Sequence, residues 1–142
     1  MQCYICHKTT LDLFASERKQ TYPNTYIKAR RKSMNQHYNK KDLDSMLEAY
    51  KGIFRGNIDL LIPNNAVQHK LHGYSFHRIK YKLPSGSFLK LEENIYVSCP
   101  ELMFCQIAET CSWEQLALIG MEICGRYYID PENSDKFVNN CM

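Results

Sequence analysis

Apolar positions recur along the chain with two different periods, and the change of period separates helical from extended stretches. Near the N-terminus Leu11 and Phe14 give an inward face to a helix over roughly His7–Ser16. From about Asp42, the residues Leu43, Met46, Leu47 and Tyr50 fall at helical spacing and predict a second helix. The sequence Ser98-Cys99-Pro100-Glu101 announces a third. Ser98 is placed to cap it, Glu101 to reach back in a capping box, and Pro100 to occupy the first turn. Phe104, Ile107, Ala108 and Cys111 then form its apolar stripe. Ser112-Trp113-Glu114-Gln115 repeats the device for a fourth helix. That helix is expected to bury Leu116, Ile119, Gly120, Ile123 and Cys124 and to stop at Gly125. The two segments Ser98–Cys111 and Ser112–Cys124 read as the stable core, with Trp113 buried between them.

Between the second and third helices the period is that of strands. Ile58–Ile62 is a short apolar run closed by Pro63-Asn64-Asn65, and Tyr74–Tyr81 alternates. Phe88–Leu91 and Ile95–Ser98 flank Glu92-Glu93-Asn94 as a hairpin with a short loop. The fold class that follows is α+β in a single domain over residues 1–142: a small, mainly antiparallel sheet flanked by about four helices. Only Lys19–Lys41 lacks a sustained period; it is polar, basic and studded with Tyr22, Tyr26 and Tyr38, as a long functional loop would be.

Composition adds little to this picture and charge adds more. At 142 residues, 44% of them hydrophobic, the chain can bury a core without cross-links. Seven cysteines, an odd and scattered set, point to free thiols in a reducing compartment. With no basic leader or long apolar run at the N-terminus, a cytoplasmic location and no membrane association are expected. The net charge of +3 conceals a split. Residues 1–82 hold 15 lysines and arginines against 6 carboxylates, and residues 83–142 hold 3 against 9. Such an asymmetry suits contact with a polyanion or attraction between the halves. Lys28, Arg30, Arg31 and Lys32, followed by Tyr38, Lys40 and Lys41, form the densest cluster, with phosphate-binding charge and a ring for stacking on exposed bases. DNA is therefore one expected partner.

Motifs for chemistry are sparse. Cys3-Tyr4-Ile5-Cys6-His7 matches the haem-attachment pattern, but that chemistry belongs to exported proteins. A zinc site needs four ligands; the Cys pair offers two, and His69, His72 and His77 could complete a site only through folding. The pair reads instead as buried cysteines at a strand-to-helix entry, and neither metal nor cofactor is expected. Glu17-Arg18-Lys19 spells a nuclease-like E-x-K, but on a helix end; Asp59 is a strand carboxylate with no such partner nearby. There is no phosphate-binding glycine loop and no nucleophile elbow.

One set of residues carries a resemblance. Ser87-Phe88, Ile95-Tyr96-Val97-Ser98-Cys99-Pro100-Glu101-Leu102, Phe104-x-Gln106-x-Ala108 and Gly120-Met121-Glu122-Ile123-Cys124-Gly125-Arg126-Tyr127 resemble AbiEi-type antitoxin or regulator proteins of bacterial phage-defence systems. They are also similar to modules that precede very-short-patch-repair-like endonuclease domains. The resemblance spans about residues 57–130 and carries no catalytic residue onto this chain. It implies a non-enzymatic regulatory or recognition module, with DNA and a toxin or other protein as partners. The alternative it implies is the accessory half of an endonuclease whose catalytic domain lies elsewhere.

Overall fold

A computed structural model describes residues 1–16, 27–29, 34, 37–124, 127–130 and 133–139, the segments 27–29 and 127–139 by backbone alone. In chain order the elements are β1 (Cys3–Ile5), α1 (His7–Ser16), β2 (Ile27–Ala29), α2 (Lys40–Met46) with a 3-10 turn (Glu48–Tyr50), and β3 (Ile58–Ile62). There follow β4 (Tyr74–Arg78), β5 (Phe88–Glu92), β6 (Ile95–Ser98), α3 (Pro100–Ile107), α4 (Trp113–Cys124), β7 (Tyr127–Asp130) and β8 (Asn133–Asn139). The α+β class holds. The main sheet, however, is mixed rather than mainly antiparallel. Its six strands run in the order β2-β5-β6-β1-β3-β4, with β1 parallel to β6 and β3 parallel to β4. β7 and β8 form a separate antiparallel pair.

β1 is the hinge of this arrangement. It lies between β6 and β3, so both its edges are paired, and with a core on each face Cys3, Tyr4 and Ile5 are each fully buried. The strand-to-helix entry expected for the Cys pair is the observed one. Because Cys3 and Cys6 are an odd number of residues apart in extended chain, they face opposite sides of the sheet. Cys3 joins the larger core with Ile5, Leu60, Val97, Leu13, Phe14, Leu43 and Met103; Cys6 joins a smaller one with Tyr4, Leu61, Phe88 and Tyr96. In the smaller core Tyr4 stacks on Tyr96 at 4.9 Å and meets Phe88 edge-on. Cys3, Cys6, Cys99, Cys105 and Cys111 are free thiols.

Caps explain where the helices begin. Asn39 caps α2 by accepting the Asp42 N–H at 2.8 Å. The capping box expected for α4 forms with Gln115: its N–H donates to Ser112 Oγ at 3.2 Å, and its Oε1 accepts the Ser112 N–H at 3.0 Å. α3 differs from expectation. Cys99, not Ser98, is its N-cap, Pro100 follows at the first helical position, and no side chain caps it. Met103 and Ile107 are its buried pair, while Phe104 is half-buried and Ala108 exposed. α4 rests on the larger core through half-buried Leu116, Ile119 and Ile123. Trp113 is 75% exposed, not a staple between helices, because it is the first residue of α4 and precedes the turn that meets α3. Gly120 marks where α4 comes closest to α3, since an added Cβ would sit 3.3 Å from the Phe104 ring. The stop expected at Gly125 lies outside the described residues.

Candidate functional site

The smaller-core face of the sheet ends in a polar cluster built from three elements. Alternation along β3 turns Asp59 and Leu61 away from Ile58, Leu60 and Ile62, and the parallel register sets His77 of β4 beside Leu61. On that shared face His77 Nε2–H donates to Asp59 Oδ1 at 2.9 Å. The other carboxylate oxygen, Oδ2, accepts from the Thr9 N–H at 3.2 Å and the Thr9 hydroxyl at 2.9 Å, while the Asp59 N–H donates to Thr9 Oγ1 at 2.7 Å. Asp59 is thereby saturated by the first turn of α1 and by β4. Burial opposes its charge, but the bonds from His77 and Thr9 outweigh it and hold its carboxyl below the ordinary range.

His7 sits directly over this pair. Its backbone has a φ of 53°, the left-handed region that histidine tolerates better than most side chains. The conformation is held from α3, where Gln106 Oε1 accepts the His7 N–H at 3.1 Å and the Ser98 hydroxyl at 3.0 Å. The His7 ring stacks on His77 with centroids 3.7 Å apart and planes 16° from parallel. Burial, then the neighbouring His77, pull the His7 imidazole down to about 4, against the opposite influence of Asp59 and Glu109. It is therefore neutral near pH 7. Its Nδ1 is buried without a hydrogen-bond partner. Cys6, next in the chain, is fully buried, and burial, reinforced by Asp59, raises its thiol well above the ordinary range. One ligand atom from each of Cys6, His7 and His77 lies within 4.8 Å of the other two, a set able to hold a metal ion.

Beside the two imidazoles opens a cavity of about 350 Å³, whose lining includes His7, His77, Cys105, Gln106 and Glu109 together with the basic stretch Arg78, Lys80 and Tyr81. The basic stretch has a distinct form. Arg78 is anchored, its Nη1 donating to the carbonyls of Asn64 at 3.0 Å and Ala66 at 2.6 Å. Lys80, Tyr81 and Lys82 then stand exposed, the Tyr81 ring at 74%.

The basic cluster expected from sequence is brought together only in part. Lys28 lies on β2, opposite Leu89 of β5. Arg30, Arg31 and Lys32 lie outside the described residues. Lys40 and Lys41 are exposed on α2, with Lys40 2.9 Å from Asp44. Tyr38 has to be removed from any contact surface. It is fully buried, its hydroxyl donates to the Gln2 carbonyl at 2.7 Å, and its ring lies parallel to Phe76 in the larger core. No ring face is left for a base. Sequence reasoning missed Thr9 and gave Gln106 no site role beyond its place in the resemblance, since single polar residues give no periodic signal. It noticed Asp59 and His77 without joining them; the clue was a carboxylate on the polar phase of an apolar strand. No helix among the described residues is long and apolar enough to cross a membrane. No protein-family model matches the chain, and neither a curated protein nor a solved structure matches it.

Proposed function

We propose that this chain is a non-enzymatic recognition module that binds nucleic acid with exposed bases along the rim Arg78–Lys82, in a regulatory, antitoxin-like role. The observation that carries the reading is the Tyr81 ring, exposed between Lys80 and Lys82 at the mouth of the cavity. An aromatic face flanked by cations fits a single strand. The ring stacks on a base of any identity, and the lysines meet phosphates. The rim belongs to the basic half of the chain, where 15 cations outnumber 6 carboxylates, so the wider field favours the same ligand. The resemblance to AbiEi-type regulators supports the regulatory part of the proposal, and a toxin-like protein is the partner it adds. Recognition is favoured over catalysis in that Cys6, the cysteine adjoining His7, is a buried thiol held protonated, a poor nucleophile.

The test is a salt titration of binding to single-stranded and duplex DNA, with Mg²⁺ present to expose cleavage. Lys80→Ala with Lys82→Ala should flatten the log–log salt dependence by about 1.4 on single strands and about 1.8 on duplex. Tyr81→Ala should weaken single-strand binding by about 1–3 kcal/mol, the worth of one base–aromatic stack. Failure to bind at about 50 mM salt, or a slope unchanged in the double variant, would discard this surface and leave a protein as the partner. Cleavage would make the chain an enzyme.

A further inference from the structure

We infer that Cys6, His7 and His77 form a binding site for one Zn²⁺, with Asp59 positioning His77 from behind and the fourth coordination position open to the cavity. Two nitrogens and one sulfur are the donor set that zinc prefers, and three protein ligands beside an open position is a recurrent zinc geometry. The ligands come from two segments 70 residues apart, so their convergence is a product of the fold and not of local sequence. In a tetrahedral site with bonds of 2.0–2.3 Å, neighbouring ligand atoms lie about 3.3–3.8 Å apart. Closing the present spread, up to 4.8 Å, turns one imidazole out of the His7–His77 stack so that both nitrogen lone pairs meet the ion.

Two observations point to a ligand beyond this proximity. The first is the role of Asp59. Its carboxylate accepts the hydrogen bond from His77 Nε2–H, which fixes the tautomer and leaves the Nδ1 lone pair of His77 for an ion. Thr9 secures the far side of the same carboxylate, completing the outer shell that metal-bound histidines ordinarily have. The second is the orphaned Nδ1 of His7, buried on a ring that the Gln106 clamp holds in an uncommon backbone conformation. An unpaired buried nitrogen is costly to leave unmade.

A purely structural reading accounts for Cys6 as packing and for His77–Asp59 as an ion pair. It leaves the orphaned nitrogen of His7, beside a thiol and a second imidazole, without a reason. The sequence-level expectation of no metal rested on the lack of completing ligands near Cys3 and Cys6. The fold sends Cys3 to the opposite face and brings in His77 in its place. Binding forms a Zn–S bond and breaks the Cys6 S–H bond, and the proton passes to solvent, one per zinc. A water entering from the cavity completes the tetrahedron.

The test is metal analysis of the protein as purified, then titration of the metal-stripped protein with Co²⁺ as a spectroscopic probe. The expected result is one equivalent of Co²⁺ per chain, with sulfur-to-cobalt charge-transfer absorption and the visible bands of tetrahedral coordination. Zn²⁺ should bleach both stoichiometrically. Cys6→Ser should abolish the charge-transfer band. Asp59→Asn should weaken Co²⁺ binding by about 10–100-fold, the usual cost of removing an outer-shell partner, and Cys105→Ser, on the same cavity, should change neither. Circular dichroism establishes that each variant is folded. If Cys6→Ser fails to fold, His77→Gln decides in its place, and it should reduce binding by at least tenfold. The site is refuted if the folded wild type develops no charge-transfer band in about tenfold excess of Co²⁺, or if the band survives in Cys6→Ser or disappears in Cys105→Ser.

Discussion

The two faces of the main sheet are made from the same strands and do different work. One face carries Cys3, Ile5, Ile58, Leu60, Ile62 and Val97, and α1, α2 and α3 cover it with Leu13, Phe14, Leu43, Met103 and Ile107. Its few polar atoms include the Tyr38 and Tyr74 hydroxyls, which are paired at its margins. The other face carries Tyr4, Leu61, Phe88 and Tyr96, and at one end its alternate positions turn polar with Asp59 and His77. β1 sends Cys3 to the first face and Cys6 to the second, so two cysteines of one short motif have different surroundings. Helix burial absorbs Cys3, whereas Cys6 lies buried beside two imidazoles. Strand alternation thus lets one sequence build a core and a site back to back.

Truncation on the helix-covered face should have the largest effect. Leu60→Ala removes a fully buried side chain at the centre of the sheet and should cost about 2–5 kcal/mol in denaturant unfolding. A cost under about 1 kcal/mol would mean that this face is not the core. On the site face, Asp59→Asn keeps a single acceptor oxygen and so gives up either the His77 bond or the Thr9 pair, at about 1–3 kcal/mol. A null result there would detach the polar cluster from folding. Ile119→Ala on α4, half-buried, should cost about 1–2 kcal/mol, below the range for a buried isoleucine. Trp113→Ala should stay within about 0.5 kcal/mol, since its ring is largely in water.

A smaller effect is a pH dependence at the rim of the helix-covered face. Asp44 accepts the Tyr74 hydroxyl at 2.6 Å and the Lys40 ammonium at 2.9 Å, and these bonds, the Tyr74 one foremost, pull its carboxyl from 3.8 down to about 2. A carboxyl depressed on folding stabilises fully above its unfolded value and loses that contribution as pH falls through its folded value. The melting-temperature gap between wild type and Asp44→Asn should therefore be constant above about pH 5 and shrink between about pH 4 and 2. A gap unchanged down to pH 2 would place the Tyr74 bond outside the folding equilibrium.

The faces also differ in how far they could be read without coordinates. α1 was legible to the residue because Leu11 and Phe14 set its period, and β3 and β6 because their apolar runs are bounded by turn residues. The α4 capping box was legible because Ser112 and Gln115 carry the signal locally. The mixed character of the sheet was not, since the pairings of β1 with β6 and β3 with β4 arise from long-range folding that no local period encodes. Tyr38 misled because a tyrosine in a basic stretch looks solvent-facing, whereas its hydroxyl finds a buried backbone carbonyl and its ring enters the core. In the site, Cys6 and His7 stood out as a motif, but their partner, His77, stands 70 residues away. Only the parallel register of β4 on β3 brings it home.

If one face builds the fold and the rim of the other binds the ligand, affinity and stability must separate at that rim. The direct measurement is single-stranded DNA affinity and melting temperature on the same samples of wild type and the Lys80→Ala, Tyr81→Ala, Lys82→Ala triple variant. The account predicts affinity lower by at least about tenfold, one stack and two phosphate contacts being lost, with stability changed by less than about 0.5 kcal/mol. Undiminished affinity in a folded triple variant would contradict it.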